Sequence, residues 1–131
     1  MSRVVKQLKF LNRISFATKK PQVVADPEKY AALNLTFQWQ NHNGHMGARK
    51  FWHEFLPTLQ FYNPDLKIQV TRIKNDNNKD ASVPCTLEIV SKDGSVVGQL
   101  DMKNKDQNAI MDELLSKLEH TRVPERDLVK V

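Results

Sequence analysis

The chain has 131 residues, of which 40% are apolar and 8% aromatic; that is enough for one compact domain with its own core and excludes wholesale disorder. Its net charge of +5 favours polyanionic partners. A single cysteine, Cys85, leaves no intramolecular disulfide, no dithiol for redox exchange and no cysteine-based zinc site, so the chain reads as intracellular; no apolar run approaches the roughly 18 residues of a membrane span.

The charge is unevenly placed. Through Asn75 there are twelve basic residues and four acids, and from Asp76 onward eight bases and eleven acids, so +8 is followed by −3. The first 25 residues hold six bases (Arg3, Lys6, Lys9, Arg13, Lys19 and Lys20) and no acid. Val4, Val5, Leu8, Leu11 and Ile14 recur at spacings of three and four, which predicts a basic amphipathic helix. Such a segment suits a mitochondrial address and an RNA-contacting arm alike. The expectation is an arm that stays on the protein; cleavage would instead leave a mature N-terminus near Lys19 or Lys20.

After the arm, Pro21 to Ala32 reads as a connector with a short helical stretch at Asp26-Pro27, aspartate capping and proline in the first turn. Leu35, Phe37 and Trp39 alternate with polar residues, the period of a strand with one buried face. A polar, glycine-bearing loop (Asn41 to Gly47) leads to a helix in which Phe51, Trp52, Phe55, Leu56 and Leu59 share one side. Pro57 lies inside that pattern and predicts a kink near His53, whose carbonyl loses its partner. Asn63-Pro64 ends the helix. A strand over Lys67–Lys74 follows, then a polar loop from Asp76 to Ser82. Cys85, Leu87 and Ile89 mark a third strand, Asp93-Gly94 a hairpin turn, and Ser95 to Met102 the returning fourth strand. A last helix is capped within Asn104 to Asp106; Ile110, Met111, Leu114, Leu115 and Leu118 make its buried stripe, and it runs toward Thr121 before Pro124.

The order β-α-β-β-β-α, with a right-handed crossover between the first two strands, closes most simply as an α/β fold. It is a thioredoxin-like four-stranded mixed sheet with covering helices, preceded by the basic N-terminal arm. Residues 1–33 form the arm and connector, 34–121 the domain and 122–131 a tail.

In that skeleton the loop before the first domain helix is where a redox dithiol would stand, but His42 to Phe51 contain no cysteine. The loop offers His42, Asn43, His45, Arg49 and Lys50 instead, with Gly44 and Gly47 allowing close backbone approach. Free amides at a helix start beside cations suit an RNA phosphate. A zinc site from His42, His45 and His53 lacks a completed ligand shell. Cys85 sits in a core-facing strand pattern, where a free thiol behaves as a small apolar group, so no catalytic residue and no cofactor is expected. Pro84, opening the third strand, is a candidate cis proline. The candidate RNA-contacting residues are therefore Arg3, Lys6, Lys9, Arg13, Lys19, Lys20, His42, Asn43, His45, Arg49 and Lys50.

Asn-His-Asn-Gly-His-Met-Gly-Ala-Arg at 41–49, Phe51-Trp52-His53, Leu56-Pro57, Phe61-Tyr62-Asn63-Pro64 and Val83-Pro84-Cys85 together resemble a fungal mitochondrial large-subunit ribosomal protein family. Its domain is shared with other mitochondrial ribosomal proteins and with a small accessory subunit of respiratory complex I. The resemblance spans essentially the whole chain, including Ser2-Arg3-Val4 and Leu8 to Asn12. It implies a redox-inactive thioredoxin-like domain and a structural, non-enzymatic role in the large subunit of the mitochondrial ribosome in the matrix. It also implies contact with ribosomal RNA and neighbouring ribosomal proteins, in support of mitochondrial translation. A protein-binding accessory subunit of complex I is the alternative, and the acid-free arm argues against it.

Overall fold

The computed structural model describes residues 3–40, 44–75 and 82–129. Helix α1 (Arg3–Asn12) runs into a π-helical turn at Arg13–Ala17. It is followed by β1 (Val23–Ala25), β2 (Tyr30–Gln38), α2 (Met46–Glu54), α3 (Leu56–Tyr62) and β3 (Lys67–Ile73). The chain continues as β4 (Thr86–Ser91), β5 (Val96–Asp101), α4 (Gln107–Lys117) and β6 (His120–Arg122), then a short 3-10 turn at Glu125–Asp127.

The main sheet has the order β3-β2-β4-β5. β2 is parallel to β3 and antiparallel to β4, and β4 is antiparallel to β5, so the four strands form the mixed sheet expected from the crossover and the hairpin. Register decides which side is buried. Leu33, Leu35 and Phe37 of β2 lie beside Ile68, Val70 and Arg72 of β3, and Leu33 and Leu35 face Ile89 and Leu87 of β4. This side packs in one cluster with Ala48, Phe51, Phe55, Leu56 and Leu59 of α2–α3 and Ile110, Met111 and Leu114 of α4. Asn34, Thr36, Gln69, Thr71, Glu88 and Gln99, one residue out of phase, form the opposite, polar side, as alternation across a strand requires.

Local chemistry explains most of the boundaries. Pro57 sits in the first turn of α3, and the helix breaks at Phe55, whose N–H still reaches the Phe51 carbonyl at 3.0 Å; the expected kink is a complete division into two helices. The Asp106 carboxylate accepts the Ala109 N–H at 2.7 Å and caps α4. Gly94 closes the β4–β5 hairpin with φ of +89°, a conformation that suits glycine. The described peptide bonds are all trans, Val83–Pro84 among them.

Several expectations are corrected. No helix forms at Asp26-Pro27: the Asp26 carboxylate accepts the Glu28 N–H at 3.0 Å in a single turn, and Tyr30 already belongs to β2. α4 stops at Lys117 rather than nearing Thr121, because His120–Arg122 pairs with β1 in a small antiparallel sheet, Val23 opposite Arg122 and Ala25 opposite His120. Trp39 lies beyond the end of β2 and is 57% exposed, not on the buried face. By contrast, α1 forms the helix that its spacing predicts, and its apolar stripe faces solvent, with Val4, Val5, Leu8 and Leu11 all exposed.

Buried Asn63 holds the small sheet to the domain. Its carboxamide oxygen accepts the Ala25 N–H at 2.8 Å, and its NH2 donates to the Val23 and Leu59 carbonyls, each at 2.8 Å. A carboxamide offers four hydrogen-bonding positions, and three are met here.

Candidate nucleic-acid interface

The loop leading into α2 does not present the open glycine cradle expected of it. Gly44 adopts φ of +83° and its carbonyl accepts the Asn104 N–H at 2.9 Å, while Asn104 itself is left-handed at φ 61°. A Cβ on Gly47 would stand 2.8 Å from the carbonyl carbon of Lys105 and closer still to its oxygen. The room left by both glycines is therefore filled by the β5–α4 turn, which lies against the start of α2.

His45 is also turned inward, 1% exposed, and its Nδ1 accepts the Gln38 N–H at 3.1 Å. Burial, then the nearby charge of Lys103, pushes its pKa below the ordinary histidine value. The imidazole is thus a neutral strut under the end of β2, which removes it from a phosphate-facing surface. Arg49 is half-buried and Lys50 exposed on α2, and His53 is exposed further along. His42 and Asn43 lie outside the described residues.

The candidate cations near the N-terminus divide into two sets. Arg3, Lys6 and Lys9 are exposed on α1, and Arg13 is exposed with its guanidinium 5.1 Å from the Phe10 ring centre. Lys19 stands 4.6 Å over the Phe16 ring, whereas Lys20 is paired with Asp112 of α4 at 2.9 Å. The π-helical turn is fastened to α3: the Thr58 hydroxyl donates to the Ile14 carbonyl at 2.6 Å, and the Tyr62 hydroxyl donates to Ser15. The Arg122 guanidinium donates to the Lys19 and Lys20 carbonyls, each at 3.0 Å. These contacts anchor the base of α1 on α3, α4 and β6 while its residues from Arg3 to Leu11 remain exposed.

A second cationic cluster escapes the sequence reading. The Arg72 guanidinium lies 5.6 Å from the Phe37 ring, 4.9 Å from Trp39 and 5.2 Å from Trp52. Phe37 and Arg72 are register partners across β2 and β3, and Trp52 reaches over them from α2, edge-on to Phe37 at 5.9 Å. Burial and the neighbouring Arg49 lower the Arg72 pKa from its ordinary value. In the sequence Arg72 is one base among twelve in the first 75 residues; only the register reveals its aromatic cage.

The chemistry of catalysis is thin. Cys85 is 3% exposed, and burial pushes its thiol up to about 12, so it stays protonated and a poor nucleophile. No group of three metal-ligating side chains occurs among the described residues. None of the described helices is long and apolar enough to cross a membrane.

Residues 48–107 match the family described as "Mitochondrial ribosomal protein L51 / S25 / CI-B8 domain". A Saccharomyces cerevisiae protein named large ribosomal subunit protein mL61 is 59% identical over 131 residues, covering 100% of this chain and 95% of that protein. Proteins of the same name from Neurospora crassa and Schizosaccharomyces pombe are 27% and 31% identical. The alignments cover 89% and 76% of this chain, and 69% and 71% of the relatives.

Proposed function

Because the chain belongs to the fungal mL61 family of large ribosomal subunit proteins, we propose that it is a structural constituent of the mitochondrial large ribosomal subunit. In this reading it works in the mitochondrial matrix, touching ribosomal RNA and neighbouring ribosomal proteins in support of translation. The observation that carries the reading is the 59% identity to the S. cerevisiae protein along the whole of this chain. All three relatives bear the ribosomal name, which favours this role over membership of respiratory complex I. The protein performs no catalysis in this role, in keeping with a single buried, protonated thiol.

The domain, read from the sequence as 34–121, is a redox-inactive thioredoxin-like unit that also takes in β1, the start of β2 and all of β6, with the basic arm ahead of it and the tail beyond Arg122. Arg3, Lys6, Lys9 and Arg13 on the arm neutralise phosphates, joined by Lys19, Arg49 and Lys50, while His42 and Asn43 of the loop donate hydrogen bonds to them. Lys20, engaged with Asp112, contributes less. Phosphate contacts of this kind position a protein without reading sequence, so specificity comes from the assembly and from RNA shape.

Changing Arg3, Lys6, Lys9 and Arg13 to glutamine tests the reading. Their side chains are exposed, so the urea midpoint of the isolated protein should hold steady. The fraction of the variant sedimenting with the mitochondrial large subunit should fall several-fold, and further as salt rises, because each lost phosphate contact removes counterion release. Undiminished sedimentation at every salt concentration would reject the arm as an RNA contact.

A further inference from the structure

We propose that Trp39, held by Arg72, is a stacking platform for an unpaired RNA base, with the positive charge of Arg72 and Arg49 drawing the adjoining phosphate. The inference rests on the RNA-contacting role above and supplies it with a site that charge alone does not identify.

The platform is rigid before any ligand arrives. The Trp39 backbone N–H donates to the Ile73 carbonyl at 2.9 Å, extending the β2–β3 ladder by one residue. The indole Nε1–H donates to the Arg72 carbonyl at 3.2 Å, and the Arg72 Nη2 donates back to the Trp39 carbonyl at 3.0 Å. This reciprocal pair fixes the ring while leaving it 57% exposed. The only polar atom of the indole is then occupied, so the recognition it has left to offer is that of its aromatic face. Nucleic-acid bases match such a surface, and base-aromatic stacking works without regard to sequence.

The surrounding charge selects the class of partner. Arg72 is wedged among Phe37, Trp39 and Trp52, and the Arg49 charge is near enough to act on it. Neither arginine belongs to an ion pair among the described residues, and the Arg72 Nε is buried without a hydrogen-bond partner. Like charges close enough to act on each other repel, and an anion placed beside them relieves that repulsion. A flat aromatic face beside Arg72, within the field of Arg49, complements a base and its phosphate. Duplex RNA keeps its bases stacked internally, so the fitting ligand is a single-stranded loop, bulge or end.

The test titrates the full chain with single-stranded 12-nucleotide adenine and uracil oligoribonucleotides and with a 12-base-pair RNA duplex, following tryptophan emission and fluorescence anisotropy. Saturating single strand should quench the wild-type emission, and Trp39→Leu should abolish the quench and weaken single-strand binding by roughly 5- to 100-fold. Trp39→Phe should retain most of the affinity. Arg49→Gln should weaken binding yet leave the quench at saturation. The folding of each variant is checked by circular dichroism; Trp39 is exposed enough for both replacements to fold. Unquenched emission with equal affinity of Trp39→Leu would overturn the platform while leaving the RNA-contacting role intact, and would assign the ring to a neighbouring protein. Failure of the wild-type chain to bind any of the three RNAs would overturn both.

Discussion

Gly47→Ala is expected to destabilise the protein by roughly 2–3 kcal/mol, within the range of overpacking a close-packed site. The sign is the informative part. Glycine within a helix normally costs about 1 kcal/mol relative to alanine, so on propensity alone this substitution in α2 would stabilise. Here the new Cβ meets the backbone of Lys105, 2.8 Å from its carbonyl carbon, and backbone cannot step aside as a side-chain tip can. Relief requires the β5–α4 turn to lift off α2, which also strains the Asn104 N–H bond to the Gly44 carbonyl at 2.9 Å. Gly98→Ala provides the contrast, because its nearest neighbour is the flexible Cδ1 of Ile89 at 3.0 Å. Urea denaturation of the two variants checks the pair; a Gly47→Ala protein as stable as wild type would show that the turn does not seat on α2.

Asn63→Ala should cost about 2–4 kcal/mol, since each buried partner left without a hydrogen bond carries a penalty on the order of 1–3 kcal/mol and some of the three regain water. The Ala25 N–H, the Val23 carbonyl and the Leu59 carbonyl all lose their partner at once. Two of these lie on β1, so the pairing of Val23–Ala25 with His120–Arg122 should loosen before the main sheet does. Hydrogen exchange would register this as faster exchange at Ala25 and Val123, whose N–H groups donate to Asn63 and to the Gln22 carbonyl. A loss below about 1 kcal/mol, smaller than one orphaned group costs, would mean the small sheet is held by something other than this carboxamide.

The sequence makes legible whatever is decided within a few residues. Pro57 divides the α2–α3 segment, Asp93-Gly94 turns the hairpin and Asp106 caps α4, each through chemistry local to its own turn. Alternation identifies the buried side of β2 but not where the strand ends, and so Trp39 reads as core when it is exposed. The β1–β6 pair joins three residues near each end of the chain, too short and too distant for periodicity to reveal. Amphipathicity marks α1 as a helix with two kinds of face but is silent on what the apolar face meets. At the site, composition finds the cations and misses their surroundings. The glycines expected to cradle a phosphate instead admit Asn104 and Lys105. His45, an expected contact, becomes a buried strut, and Arg72 acquires its place only through register with Phe37.

Membership of the mitochondrial large subunit is tested most directly by tagging the protein in mitochondria and fractionating a detergent lysate on a sucrose gradient, with and without ribonuclease. A constituent of the large subunit peaks with large-subunit ribosomal RNA and leaves that fraction once the RNA is digested. A protein that peaks with a respiratory membrane complex, or remains at the top of the gradient while the large subunit sediments intact, would contradict that membership.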